Sequence, residues 1–403
     1  MAFLTLKAMD NLCRQFAQEN PMASYSVVGY SRLGTPIYLL SIKGMPESSL
    51  FLGFVHPNEP LMSLVLPSLL KMAQERQQND AKGIWLLVPI WDVDGAEFNH
   101  EWWVNSLSFL DTEFFVSNFF RPSPKWQVEW TFPIQYNHYE FCLPLAETQA
   151  VMAIIDQYNP EYLFSVHNAL FPEGYILLHD LLASRAPSLS QLLREHSGTR
   201  QFNPIPYVEE WAPSIYGLPY LSRELDFFFS QSIPVPIDYG GASFDYAHAK
   251  AVVAELPLLQ WPQNPARWAD RAKERLAVLW TEFYNILEML FTTVGIKTDD
   301  DVPILVSNAY YLLERSPWDL SRKQSRLADS NSLQHGKDYL EGLLTMTTYL
   351  MLLYRQYPHL PPSYKPFLHE LLSIAPQLPL ANLNRTQECY VQIVRTILNG
   401  RAH

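Results

Sequence analysis

Residues 50–60 read LFLGFVHPNEP. The apolar run LFLGFV stops at His56, and Glu59 follows three positions later with Pro60 beside it. A short apolar run without alternation is the pattern of a strand covered on both faces. Proline is tolerated in the first turn of a helix, so the stretch predicts a strand, a short loop and a helix start. Ligands of α/β proteins bind in the crevice at the carboxyl ends of parallel strands. A histidine and a glutamate placed there either hold a metal ion or simply close a strand, and H-x-x-E alone does not choose between the two.

The flanking chain repeats the pattern. IYLLSI (37–42), IWLLVPI (84–90), YLFSVH (162–167), YILLHD (175–180) and VVAEL (252–256) are further candidate strands. Between them, EPLMSLVLPSLLKMAQERQQ and PLAETQAVMAIIDQY carry apolar residues at helical spacing, with Pro67 expected to kink or end the first helix early. The alternation predicts an α/β fold, a mixed, mainly parallel central sheet with helices on both faces. Residues 201–239, rich in aromatics and proline, are expected to form a long ordered loop region. After WPQNP (261–265) only amphipathic helical patterns follow, which divides the chain into a 1–262 domain and an all-helical 263–403 region without an assigned role.

The 403 residues are 48% hydrophobic and 17% charged, with a net charge of -12, which describes a globular chain with a large core. The negative balance argues against nucleic acid as a partner. Cys13, Cys142 and Cys389 are far apart, so neither a cysteine-ligated zinc site nor a disulfide framework is expected. The N-terminus lacks the pattern of a secretion signal, and LLTMTTYLMLLY (343–354) is shorter than the ~18 apolar residues of a spanning helix. A cytoplasmic protein without membrane attachment is the expectation.

Catalytic zinc commonly takes three protein ligands, His₂Glu among them, and leaves a fourth position open. His167 closes YLFSVH at another strand end, where it would serve either as the third ligand or as a core histidine bonded to backbone. Glu255 lies inside the apolar run AVVAELPLL, a costly place for a carboxylate that is neither paired, metal-linked nor working.

The order of segments resembles the carboxypeptidase A-like zinc metallocarboxypeptidase family, and in particular an uncharacterised bacterial branch of it. VVGYSRLGTPIYLLSIKG is similar to the first strand pair of that family, and FVHPNEP to its H-x-x-E zinc motif. VPIWDVDGAEFN resembles the N-P-D-G segment, with Asp92 where asparagine is usual. PLAETQAVMAIIDQYNPEYLFSVHN resembles the helix and strand that deliver the third ligand, and GGASFDYAHAKAVVAEL the segment entering the catalytic glutamate strand. The resemblance covers roughly residues 1 to 260. It implies one Zn2+ ion held by His56, Glu59 and His167, with Glu255 as general base.

The departures concern substrate binding. The adjacent Asn-Arg pair with which the family grips a terminal carboxylate is missing, and Asn118 and Arg121, three apart in SNFFRP, stand as its equivalents. The segment EFNHEWWVNS lacks the family's second arginine, so Arg121 is a candidate oxyanion stabiliser as well as an anchor. An arginine bonded to backbone near Pro122 is the plain alternative. Tyr239, before the Gly-Gly pair, is the candidate substrate tyrosine, with Tyr246 the weaker choice. Trp102, Trp103, Trp126 and Trp130 either line a cleft or belong to the core.

These readings lead to a hydrolase that cleaves an amide bond with a zinc-activated water. The first candidate is a metallocarboxypeptidase removing a C-terminal residue from a peptide or cell-wall-type peptide. The second is a deacylase of small N-acyl amino acids. The third is an inactive binding module. A homo-oligomer through the C-terminal helices is left open.

Overall fold

The candidate strands lie side by side. The structure, a computed structural model, describes residues 2–105, 109–110, 118–122, 126–137, 139–169, 174–197, 209–218, 240–259, 378–379 and 381–399, with isolated positions 230, 278, 281–283, 285–286, 288–289, 292 and 366–367. Strands β1 (Ala23–Tyr30), β2 (Pro36–Met45), β3 (Ser49–Leu52), β4 (Gly83–Val88), β5 (Tyr162–Ala169), β6 (Tyr175–Leu178), β7 (Glu210–Ala212), β8 (Ile215–Gly217) and β9 (Lys250–Pro257) form a nine-stranded sheet. Their order across it is β1-β2-β4-β3-β5-β9-β6-β8-β7.

The central strands β4, β3, β5 and β9 are parallel, as the unbroken apolar runs predict. Outside this centre β6 and β8 are also parallel, while β1–β2, β2–β4, β9–β6 and β8–β7 are antiparallel. The fold is therefore mixed α/β. The β1–β2 connection is tight, with Gly34 at φ +84 and the Gly34 amide donating to Ser31 O at 2.9 Å. A side chain would strain that left-handed position. The stretch read as a long loop at 201–239 contains β7 and β8 at the sheet edge; 201–208, 219–229 and 231–239 lie outside the described residues.

One face of the sheet is covered by α4 (Ala146–Tyr158), whose Ala150, Val151, Ile154 and Ile155 pack with Leu50, Leu52, Leu163 and Val253. Phe51 and Phe164, one residue off those positions, point the other way and stack at 4.7 Å. On that face α2 (Leu61–Arg76) and α6 (Leu383–Leu398) pack against each other and the central strands. Helices α1 (Leu6–Glu19), α3 (Val93–Val104) and α5 (Ala186–Ser197) complete the described set of long helices. Complete burial of an isoleucine or leucine in these layers contributes roughly 1.5–3 kcal/mol.

Pro67 does not end α2, which continues for nine residues beyond it. A proline has no N–H for the carbonyl four residues back, and here that carbonyl, Ser63 O, accepts from Leu4 N at 3.4 Å. The N-terminal segment thus partners the group that the proline leaves open. Helix α6 is held by more than its apolar stripe. Gln387 Nε2 donates to Leu64 O at 2.7 Å, and Thr386 Oγ1 donates to Pro257 O at 3.2 Å.

The chain divides into two compact units, Met1–Asn105 with Pro124–Leu259 and Leu380–His403, and Ser106–Ser123 with Gln260–Pro379. The final helix therefore belongs with the sheet. Most of the region read as helical, 263–403, lies outside the described residues; its described positions between 278 and 292 are helical, while Leu378–Pro379 pair as a short strand with Phe109–Leu110. Cys13 and Cys389 are buried, Cys142 is exposed, and all three are free thiols. Among the described residues no helix is long and apolar enough to cross a membrane.

Candidate metal centre

After Leu52 the chain leaves the sheet through a strained turn. Gly53 N donates to Val88 O, and the exits of β3 and β4 are stitched by Trp91 N to Gly53 O and Asp92 N to Phe54 O. A Cβ on Gly53 would stand 2.5 Å from Pro89 O, so only glycine fits there. Phe54 takes φ +50 with its ring fully buried against Trp103. A bulky residue in that region costs of order 1–3 kcal/mol and persists where surrounding structure enforces it. The turn then closes with Glu59 N donating to His56 O at 3.0 Å, which holds both side chains in one loop.

His167 arrives on β5 and Glu255 on β9, and the two are direct register partners. Partners on neighbouring parallel strands share a face. Glu255 Oε1 accordingly stands 3.7 Å from His167 Nδ1, and Glu59 Oε2 bonds the same nitrogen at 2.8 Å. On the far side of the ring, Ser165 Oγ pairs with Nε2 at 2.8 Å, which fixes the imidazole with Nδ1 facing the carboxylates. The His56 ring lies 4.9 Å from that of His167 and stacks on Trp130 at 6.2 Å.

His56, Glu59 and His167 offer ligand atoms within 4.8 Å of one another, and all three residues are buried. Two imidazoles and a carboxylate suit zinc, whose ligands lie about 2.0–2.2 Å from the ion. The electrostatics also fit a cation. Burial opposes protonation of His167, but Glu59, Glu255 and Glu129 outweigh it and push the pKa up to about 9. The carboxylates thus hold a positive charge at this point, which a divalent ion would supply with the imidazole neutral.

Asp92 caps α3, with Oδ1 accepting from Gly95 N at 2.9 Å. Burial pushes its pKa up to about 7, against the nearby Arg32 guanidinium, which acts to lower it. A protonated carboxyl there is close to an asparagine in charge. Asp94 ties down the preceding turn through Ser31, Leu33 and Thr35. Arg32 lies over the Trp126 ring and pairs with the buried Glu147 at 3.0 Å.

Glu129 was not singled out from sequence. It is fully buried on the turn Val128–Trp130, its charge interacts with His167, and burial pushes its pKa up to about 8. Its signal was a carboxylate among apolar and aromatic residues in WQVEWTF, the same kind of signal that marks Glu255. Asn118 and Arg121 are half-buried residues of the second unit, and Tyr239 lies outside the described residues. The Tyr246 hydroxyl bonds both oxygens of Asp156, at 3.0 and 3.1 Å. Trp102 and Trp103 are core, whereas Trp126 and Trp130 are half-buried, Trp130 against His56.

No family model matches the chain, and no curated protein matches it. Solved structures similar to it include carboxypeptidase A from Helicoverpa armigera, at 13% identity and a TM-score of 0.42, covering 64% of this chain and 65% of that one. Bovine thrombin-activatable fibrinolysis inhibitor, in complex with tick carboxypeptidase inhibitor, is 12% identical with a TM-score of 0.39, over 64% of this chain and 86% of that one. A metallo-carboxypeptidase from Pseudomonas aeruginosa is 16% identical with a TM-score of 0.35, over 61% and 58%. The chain thus spans less than two thirds of the length of the first and third of these proteins.

Proposed function

We propose that this protein is a zinc-dependent hydrolase of amide bonds, and that it acts as a metallocarboxypeptidase on a peptide or cell-wall-type peptide. The observation that carries the reading is the convergence of His56, Glu59 and His167 with Glu255 3.7 Å from His167 Nδ1. A bound zinc ion would supply Lewis acidity and a water of lowered pKa at its open position. Glu255 accepts the proton of the attacking water and passes it to the leaving amine. Ser165 holds the His167 imidazole with Nδ1 toward Glu59, where the nitrogen would be available to a metal ion. Trp130 stacks on the His56 ring at 6.2 Å.

Arg121 is assigned the substrate carboxylate or the oxyanion, with Asn118 and Tyr239 as further substrate contacts. Removing an oxyanion donor typically costs about 2.7–4 kcal/mol of transition-state stabilisation. Deacylation of a small N-acyl amino acid is the second reading, favoured by the absence of an adjacent Asn-Arg pair from SNFFRP. Elemental analysis of the wild type beside H56A and H167A tests the centre, with one zinc per chain expected only in the wild type. Full zinc in both variants would remove the ligand assignment. Peptides compared with their C-terminally amidated forms then separate the two readings, because an exopeptidase loses activity on the amides.

A further inference from the structure

Glu129 is the buried carboxylate that the proposed chemistry leaves without a task. Ser243 donates its hydroxyl to Oε1 at 2.9 Å and its backbone N–H to the same carboxylate. Oε2 is equally enclosed and accepts no hydrogen bond. Among the described residues no lysine or arginine pairs with Glu129, and the neighbouring Asp245 adds to the negative potential. A buried acid in that condition is normally neutralised or supplied with a cation.

The position of Glu129 is set by a clasp between two segments. Phe132 N donates to Gly241 O, Gly241 N donates to Phe132 O, and Gly240 N donates to Trp130 O, all at 2.8–3.1 Å. The same turn carries Trp130 onto His56 and brings Glu129 within electrostatic range of His167. The open oxygen therefore belongs to the surroundings of the metal cluster, not to a remote part of the core.

Resting on the hydrolase reading above, we infer that Glu129 is a specificity-determining residue whose open carboxylate oxygen receives a cationic nitrogen, an ammonium or guanidinium, carried by the substrate beside the scissile amide. The electrostatics support the choice. Burial and Asp245 disfavour the ionised form of Glu129, and a cationic nitrogen at Oε2 would supply the partner that lets it ionise. A second acidic group on the substrate would add to the negative potential. The substrate class is thus an acylated or peptide-linked amino acid with a basic side chain, in preference to a neutral or acidic one.

The test uses the zinc-loaded full chain and matched N-acyl dipeptides ending in lysine, norleucine or glutamate. Loss of a buried charge partner typically corresponds to a factor of about 30 or more, so kcat/KM should favour lysine over norleucine by at least that ratio. E129Q retains the acceptor for Ser243 and should bring the ratio within threefold, with zinc content unchanged. E129D keeps the charge one methylene shorter and should retain part of the preference, a readout that a purely structural role would not move. Calorimetric titration with Nα-acetyl-lysine and Nα-acetyl-norleucine reads the same preference without turnover. If the protein holds no zinc and cleaves none of the dipeptides, the hydrolase reading fails while this titration still judges Glu129. Equal binding of the two probes by the wild type, or a lysine preference undiminished in E129Q, overturns the inference.

Discussion

Glu47 and Glu129 are both buried glutamates, and they are treated in opposite ways. Glu47 lies between β2 and β3, at the end of the sheet away from His56. Its Oε1 accepts from Trp85 Nε1 at 3.1 Å and its Oε2 from Arg76 at 2.9 Å. Arg76 is bonded in turn to Asn399 at the end of α6. Glu129 has one oxygen bonded to Ser243 and the other bonded to nothing. A satisfied buried carboxylate ties elements together, whereas an unsatisfied one costs stability and keeps a binding capacity in reserve. The contrast sets a fastened end of the sheet against an end that, on the inference above, would receive a substrate cation.

The largest effect should come at the receiving end. E255Q is expected to lower turnover by about 10²–10⁴-fold, the usual contribution of a general base, while zinc content stays at the wild-type value. Activity retained by E255Q would erase the division at its most important residue. Next in size is the far end, where Arg76→Met leaves Glu47 without its cation. Breaking a buried pair in this way typically costs about 3–5 kcal/mol, and the partial exposure of Arg76 places the expectation near 3 kcal/mol by denaturant titration. No loss of stability would mean that Glu47 is not the fastening it is taken for.

A smaller effect, opposite in sign, is expected at Asp92. Its folded pKa of about 7 lies above the ordinary 3.8, so the folded state binds more protons than the unfolded chain between those values. Stability is then greatest below the lower value and falls as pH rises through the upper one. D92N, which keeps an acceptor for Gly95 N, should stabilise the fold by about 1–3 kcal/mol at pH 8 and by almost nothing at pH 4. A gain of the same size at both pH values would show that ionisation is not the cause. The smallest change is foreseen for the stability of E129Q itself, within about 1 kcal/mol of wild type, because one unsatisfied polar group replaces another.

How much of this was legible depended on the range over which each signal acts. The apolar runs at 37–42, 50–55, 84–90, 162–167 and 252–256 marked strands because burial on both faces leaves no polar alternation. β7 and β8 were missed because an edge strand of three residues has no room for a pattern. Pro67 did not end its helix because the local rule is sound but its remedy, a hydrogen bond from Leu4 to Ser63 O, comes from a distant part of the chain. His56, Glu59 and His167 were legible as residues near the carboxyl ends of strands, although the run 50–55 leaves the sheet after Leu52 and His167 lies two residues before the end of its strand. Glu129 carried the same signal as Glu255, a carboxylate among apolar residues, but on a turn without periodicity, and its partners Ser243 and His167 are distant in the chain.

The sequence by itself determined the α/β class, the placement of His56 after one strand and of His167 near the carboxyl end of another, and the odd carboxylate at Glu255, since each follows from short-range pattern and the cost of burying charge. Only the tertiary structure decided that Glu255 and His167 are register partners, that Ser165 orients the imidazole, and that Glu129 is left with an open oxygen. Those facts depend on which strands pair and in what register, and pairing is set by the packing of the whole sheet and not by any one segment of it.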